Sequence, residues 1–262
     1  MRYEKQIETL TLGLIFIFGS LISSQAVGQT NEGLVAYFKF EEGKGKTLND
    51  YSGIGNDATI TGDVEWVEGK YNRGLKFDGK SSYADIPTGK VGPLFEAVTI
   101  TAWVKVAKMP SSHSYNIAGM TTGPGSGFYV ELYAVVLAAW QCQPNNTNAS
   151  TPYPTTFNEW HHLAGVYTGK EILLYIDGEQ KANGPGAALP SVAGLPFRIS
   201  GNHSEVSDWA GSLDGVIDEV RLYNRALGSD EIKDSMKEIG MVVTPAGSLF
   251  TTWSKVKSEL CR

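Results

Sequence analysis

The sequence predicts an all-β protein, a sandwich or a barrel, and three observations carry that reading. Segments alternating apolar and polar residues recur along the chain. Turn residues separate them about every ten positions. The composition, with Gly 30, Tyr 12 and Trp 6 among 262 residues, leans toward turns and strands rather than helices. Apolar residues at 42% permit a sizeable core, and charged residues at 19% fall below the usual quarter. A net charge of −6 gives no electrostatic reason to expect nucleic acid or anionic lipid as a partner.

The first thirty residues differ from the rest. Arg2 and Lys5 precede the apolar run Leu12 to Ile22, and the small-residue stretch SSQAVGQT follows. An apolar run of about eleven residues is too short to span the roughly 30 Å hydrocarbon core as a helix. Residues 1–28 therefore read as a secretory signal peptide, so the membrane is met only in transit and the product is secreted, cell-surface or periplasmic. The alternative is an uncleaved N-terminal anchor. Export would permit a disulfide, but Cys142 and Cys261 are the only cysteines, and their positions do not say whether they pair.

Strand signals follow in order. LVAYFKFE alternates Leu34, Ala36, Phe38 and Phe40 with Val35, Tyr37, Lys39 and Glu41, and VTITAWVKVA alternates Ile100, Ala102, Val104 and Val106 with polar neighbours and Trp103. GLKFDGKSSYADIP gives two short strands around an Asp78-Gly79 turn. Further strands are expected at GFYVELYAVVLAAW, PFRIS and GVIDEVRLY. Trp103 and Trp160 are expected to be at least partly buried.

WHHLAGVYTGKEILLYIDGE reads as a strand, a turn and its returning hairpin partner, with Asp177-Gly178 as the next tight turn. Successive side chains on a strand point to opposite faces. His161 and His162 therefore cannot both reach one metal or one substrate, and the pair is read as structural. His162 shares a face with Trp160, Ala164 and Val166 and is assigned inward; His161 shares the other with Leu163 and Tyr167. By the same parity Asp218 and Glu219 diverge, whereas a glycosidase pair must converge at about 5 to 10 Å. Glu219 is read as an outward charge beside Arg221.

After that strand the pattern becomes helical. Ser229 is the expected N-cap, Asp230 and Glu231 favour the helix dipole, and Ile232, Met236 and Ile239 form an apolar stripe ending at Gly240. Residues 240–262 are a tail in which Leu249, Trp253, Val256 and Leu260 fall at helical spacing, either packing on the sandwich or serving interaction. Nucleophile-elbow and phosphate-loop signatures are lacking, so no catalytic residue is assigned.

Two regions offer binding chemistry. The polar, proline-broken stretch Trp140 to Trp160 reads as a rim loop, where binding surfaces commonly sit. Trp140 and Tyr153 could stack on sugar faces, and Asn145, Asn146 and Asn148 could bind hydroxyls, with HSYN, His113 to Asn116, and the Trp209 segment as secondary candidates; the alternative is an ordinary surface loop with Trp140 in the core. Asn145-Asn146-Thr147, Asn148-Ala149-Ser150 and Asn202-His203-Ser204 match glycosylation sequons, relevant only in a glycosylating host. The loop NDYSGIGND carries Asp50, Ser52, Asn56 and Asp57, hard oxygen ligands of the kind calcium takes. The alternative is that Asp50 and Asn56 cap turns.

Six segments taken together, GLVAYFKFEEG, LNDYSGIGNDATI, GLKFDGKSSYADIP, VTITAWVK, WHHLAGVYTGKEILLYIDGE and LDGVIDEVRLYNRALGSDEI, resemble in order the LamG-like jellyroll domains of the concanavalin A-like lectin/glucanase superfamily. The resemblance covers residues 33–239. It implies an all-β, two-sheet antiparallel jellyroll sandwich followed by a short C-terminal helical tail. It also implies a structural Ca2+ completed by Asp78 and Asp218 together with Asp50 and Asn56. The superfamily's hydrolases carry E-x-D-x-x-E on one strand, and that arrangement is missing from this sequence. The expectation is a non-catalytic module that binds carbohydrate or another extracellular polymer. The alternatives are a structural or adhesive domain binding extracellular protein and, further off, a glycoside hydrolase-like enzyme.

Overall fold

The computed structural model describes residues 31–91, 96–109, 114–123, 126–133, 137–143, 147–154, 156–186, 194–201 and 210–238. Residues 1–28, expected to be a signal peptide, the tail 240–262, Ile239 and Cys261 lie outside the described residues. The strands in the first half of the chain are β1 (Leu34–Phe38), β2 (Thr47–Leu48), β3 (Ala58–Thr61), β4 (Val64–Glu68), β5 (Arg73–Asp78), β6 (Tyr83–Ile86), β7 (Val98–Val106), β8 (Ser114–Gly123) and β9 (Ser126–Tyr133). There follow β10 (Leu137–Gln143), β11 (Thr147–Pro152), β12 (Trp160–Tyr167), β13 (Glu171–Ile176), β14 (Glu179–Pro185), β15 (Phe197–Ile199), β16 (Ala210–Gly211) and β17 (Asp214–Tyr223). One helix, α1 (Ser229–Ser235), closes the described part. Among the described residues no helix is long and apolar enough to cross a membrane.

The strands form two sheets, as the jellyroll resemblance implies. The eight-stranded sheet runs β14-β13-β12-β7-β17-β5-β4, with β1 pairing the far end of β17 beyond β5. The nine-stranded sheet runs β11-β10-β9-β8-β15-β6-β3-β2, with β16 on β8. Every pairing is antiparallel except β16 with β8.

The predicted alternation fills the space between the sheets. Ile100, Ala102, Val104 and Val106 of β7 share one core with Ile60 of β3, Ile86 of β6 and Phe197 and Ile199 of β15. Each fully buried Ile or Phe contributes about 1.5–3 kcal/mol relative to remaining exposed. Trp103 is buried and Trp160 half-buried.

The turns follow their residues. Asp177 and Gly178 both have positive φ, 53° and 77°, the signature of a type I′ turn joining β13 to β14. The Asp78-Gly79 turn carries the chain from the eight-stranded to the nine-stranded sheet, so β5 and β6 are consecutive without pairing. Trp140 to Trp160 departs from the rim-loop expectation. Its first part is a hairpin, β10 paired with β11, at the edge of the nine-stranded sheet.

The N-cap of α1 is Gly228 rather than Ser229, because Glu231 turns back to accept the Gly228 N–H at 2.9 Å while holding Arg225. Ile232 is buried among Leu34, Tyr37, Ala164, Val166, Tyr223 and Leu227 on the outer face of the eight-stranded sheet. The helix therefore roofs that face.

Candidate functional site

The two outer faces of the sandwich differ, and the difference positions the site. On the eight-stranded sheet, carbonyls of residues 235–237 are held from below. Arg221 donates to Ser235 O, and to Lys237 O at 2.8 Å. Trp103 Nε1 and Tyr71 Oη both donate to Met236 O, at 3.0 and 2.8 Å. Lys39 pairs with Glu238 at 2.8 Å. This face is closed.

The histidine pair belongs to that closed architecture. His161 lies on the inter-sheet side with Leu163 and Tyr167, its Nδ1 2.8 Å from Asp177 Oδ2 and its Nε2 3.0 Å from Thr156 Oγ1. His162 lies on the outer, roofed side with Ala164 and Val166, edge-on to Trp103. The opposed directions hold, but the faces are the reverse of the expected ones. Both faces of β12 are apolar, so the sequence carries no contrast to tell inside from outside. Burial, and next Arg221 and Lys70, push the His162 pKa down to about 3, so the ring is neutral.

Asp218 and Glu219 do not diverge. Ile217 and Val220 both point into the core, so the two residues between them both turn outward. The cause is a bulge: Glu219 has φ 54° and the register with β7 slips between Asp218 and Arg221. Glu219 lies on the outer side beside Arg221, as expected, but is buried beneath the roof rather than solvated. Its Oε2 accepts from Arg221 at 2.5 Å and from Tyr37 Oη at 2.6 Å. Asp218 accepts the amides of Lys70, Tyr71 and Glu219 at 2.8–3.0 Å. Gly69 beside it has no room for a side chain: a Cβ there would lie 2.2 Å from Arg73 O and 2.7 Å from Asp218 Oδ2.

Of the residues named from sequence for sugar binding, Tyr153 does not reach the surface. Tyr153 is buried in the core with its ring edge-on to His161, so it presents no face to a sugar. Trp140 pairs with Val130 and Ala149, both core residues. Asn145 and Asn146 lie outside the described residues.

The calcium set does not converge as one cage either. Asp50 caps its own loop, accepting the amides of Tyr37 and Ser52 on Oδ1 and those of Gly55 and Asn56, with the Ser52 hydroxyl, on Oδ2. Asn56 donates to Val35 O. Asp78 Oδ1 accepts the amides of Lys80, Ser81 and Ser82 and the Ser82 hydroxyl. Asp218 serves the amides named above. Calcium needs carboxylate oxygens turned to a shared point; these are turned to separate sets of N–H and O–H donors. Among the described residues no group of three or more His, Cys, Asp or Glu side chains is arranged to hold a metal.

Among the described residues no helix packs on the outer face of the nine-stranded sheet, and its register aligns a polar row. Thr47 opposes Thr59, Thr59 opposes Asp85, Asp85 opposes Arg198, and Arg198 opposes Gly119, which opposes Tyr129. Arg198 grips Asp85 with two bonds, Nε to Oδ1 and Nη2 to Oδ2, both 2.7 Å. Its guanidinium lies 3.7 Å over the Tyr83 ring. Asn116 opposes Glu131 in the next row, and both are buried. Thr59, Thr61, Asn148 and Ser150 at the margins are exposed. Gly119 apart, the row is thus polar, and it is sunken at its centre. Asn116 Oδ1 has no hydrogen-bond partner. A buried unpartnered carbonyl costs about 1–3 kcal/mol. The missed signal lay in YADI and FRI, whose alternate residues Tyr83, Asp85 and Arg198 are polar or aromatic while their neighbours are core.

Comparison with known proteins agrees with this architecture. The family model described as the concanavalin A-like lectin/glucanases superfamily matches residues 78–233, more than half of the chain. The chain belongs to this superfamily. A search of curated proteins gave no match. Among solved structures, domain 4 of AbnA, a GH43 extracellular arabinanase from Geobacillus stearothermophilus, in complex with arabinotriose, superposes with TM-score 0.57 at 21% identity, covering 78% of this chain and 98% of that one. The binding domain of Paraclostridial Mosquitocidal Protein 1 gives 0.60 at 17% identity, covering 79% of this chain and 52% of that one. The binding domain of botulinum neurotoxin DC in complex with SialylT gives 0.59 at 14%, covering 78% and 51%. The chain thus spans about half the length of these toxin domains. At these identities the likeness is one of fold.

Proposed function

We propose that this protein is an exported, non-catalytic carbohydrate-binding module whose ligand lies on the outer face of the nine-stranded sheet. The observation that carries the reading is the polar row centred on Tyr83, Asp85 and Arg198, with the unpartnered Asn116 Oδ1 beside it. Amides, carboxylates and guanidinium groups around an aromatic ring are the groups that hold sugar hydroxyls and ring faces. Export rests on the apolar run before the domain. The non-catalytic reading rests on the sequence, in which no E-x-D-x-x-E strand occurs. The structural neighbours crystallised with arabinotriose and SialylT make a glycan the natural first ligand class.

The test is a glycan array followed by calorimetry. Wild type should bind at least one glycan class. Tyr83→Ala should weaken that binding tenfold or more, about 1.4 kcal/mol, with a folded thermal melt. Binding to no glycan, or full binding by the Tyr83 variant, would overturn the reading.

A further inference from the structure

We infer that the glycan is electrically neutral, an inference that rests on the site proposed above and narrows it to a ligand class. Across all nine strands of that sheet, Arg198 is the sole Lys or Arg. The same strands carry two carboxylates, Asp85 and Glu131, so their formal charge is net negative. Other polar positions are Thr, Ser, Asn, Gln and Tyr. The opposite sheet differs, with Arg73, Lys76, Lys105, Lys181 and Arg221 in its strands. The charge-poor character is a property of this face rather than of the whole chain.

The sole cation is already engaged. Recognition of a carboxylate or sulfate by arginine uses two parallel N–H bonds from one edge of the guanidinium. In Arg198 one such edge, Nε and Nη2, is bound to both oxygens of Asp85, and one face of the plane is stacked on Tyr83. An anionic sugar placed on this row would lose hydration and find the guanidinium already neutralised by Asp85, with the buried Glu131 leaving the strands net negative. Like charges set against each other in an interface are a strong discriminating term. A neutral sugar meets hydroxyl, amide and carboxylate partners without that repulsion.

The experiment pairs uncharged polysaccharides (arabinan, xylan, mannan, β-glucan) with polygalacturonate, sialylated oligosaccharides and a sulfated glycan, measured by calorimetry at low and physiological salt. The tightest ligand should be uncharged, every anionic ligand should bind at least tenfold more weakly, and the neutral affinity should change less than twofold with salt. Asp85→Asn releases the Arg198 fork and should shift the anionic-to-neutral affinity ratio at least fivefold toward the anion. If that variant does not fold, the wild-type ranking and its salt dependence decide alone. An anionic glycan binding tightest, with affinity falling as salt rises, overturns this inference while leaving the glycan-binding proposal standing. Binding to neither class overturns both.

Discussion

Arg221 Nη2 lies 2.5 Å from Glu219 Oε2, with both side chains essentially shut off from solvent. Glu219 and Arg221 share a side by ordinary strand parity, with Val220 in the core between them; the bulge adds Asp218 to that side, and the guanidinium ties β17 to the carbonyls of Ser235 and Lys237. The ion pair thus joins the sheet to its roof.

Breaking the pair from one side should be severe. Arg221→Leu leaves Glu219 buried without a cation and should cost about 3–5 kcal/mol in chemical denaturation. Replacing both, Glu219→Leu with Arg221→Met, should recover a large part of that loss. A single variant within about 0.5 kcal/mol of wild type would show that the pair is not closed to water.

The roof also gives stability a defined pH dependence. His162 stays neutral down to about 3, against an ordinary 6.5, chiefly through burial. The unfolded chain then binds one more proton than the folded one between these values. The stability His162 confers is present above 6.5 and lost as pH falls toward 3. His162→Gln should flatten this acid limb by about 1.4 kcal/mol per pH unit. Asp218, pushed up to about 8 chiefly by burial, has the opposite sign. Its stabilising effect is complete below the ordinary 3.8 and is lost as pH rises through about 8. Asp218→Asn should therefore steepen the loss on acidification, read from melts between pH 3 and 8.

Asp50 should act as a loop cap whatever the calcium level. Asp50→Ala removes the acceptor for four backbone amides and should cost about 2 kcal/mol. Melting of the wild type should be the same in calcium and in chelator. A midpoint that drops on chelation and returns with calcium would show that a cation competes successfully for those oxygens.

Tyr153 should matter for packing and not for its hydroxyl. The Oη atom is buried without a partner, so Tyr153→Phe should be neutral or stabilise by up to about 1 kcal/mol. Tyr153→Ala should cost about 3–5 kcal/mol. Glycan binding by the Phe variant should match wild type, and a loss there would return Tyr153 to the binding surface.

Local sequence determined which segments are strands, where they turn and what fills the core. Alternation in VTITAWVKVA and a positive-φ pair at Asp177-Gly178 are set by neighbours within a few residues. The family was legible for the same reason, since those segments recur in order. Tertiary structure alone decided which face is outside. On β12 both faces are apolar, and only the roof from α1 explains why. It also decided that Asp218 and Glu219 share a side, because one bulge residue reverses strand parity without a sequence mark as plain as Gly or Pro. The polar row of Asp85, Arg198 and Tyr129 was hidden for a related reason. Its members come from strands β6, β15 and β9, distant along the chain, and only the register of the sheet sets them side by side.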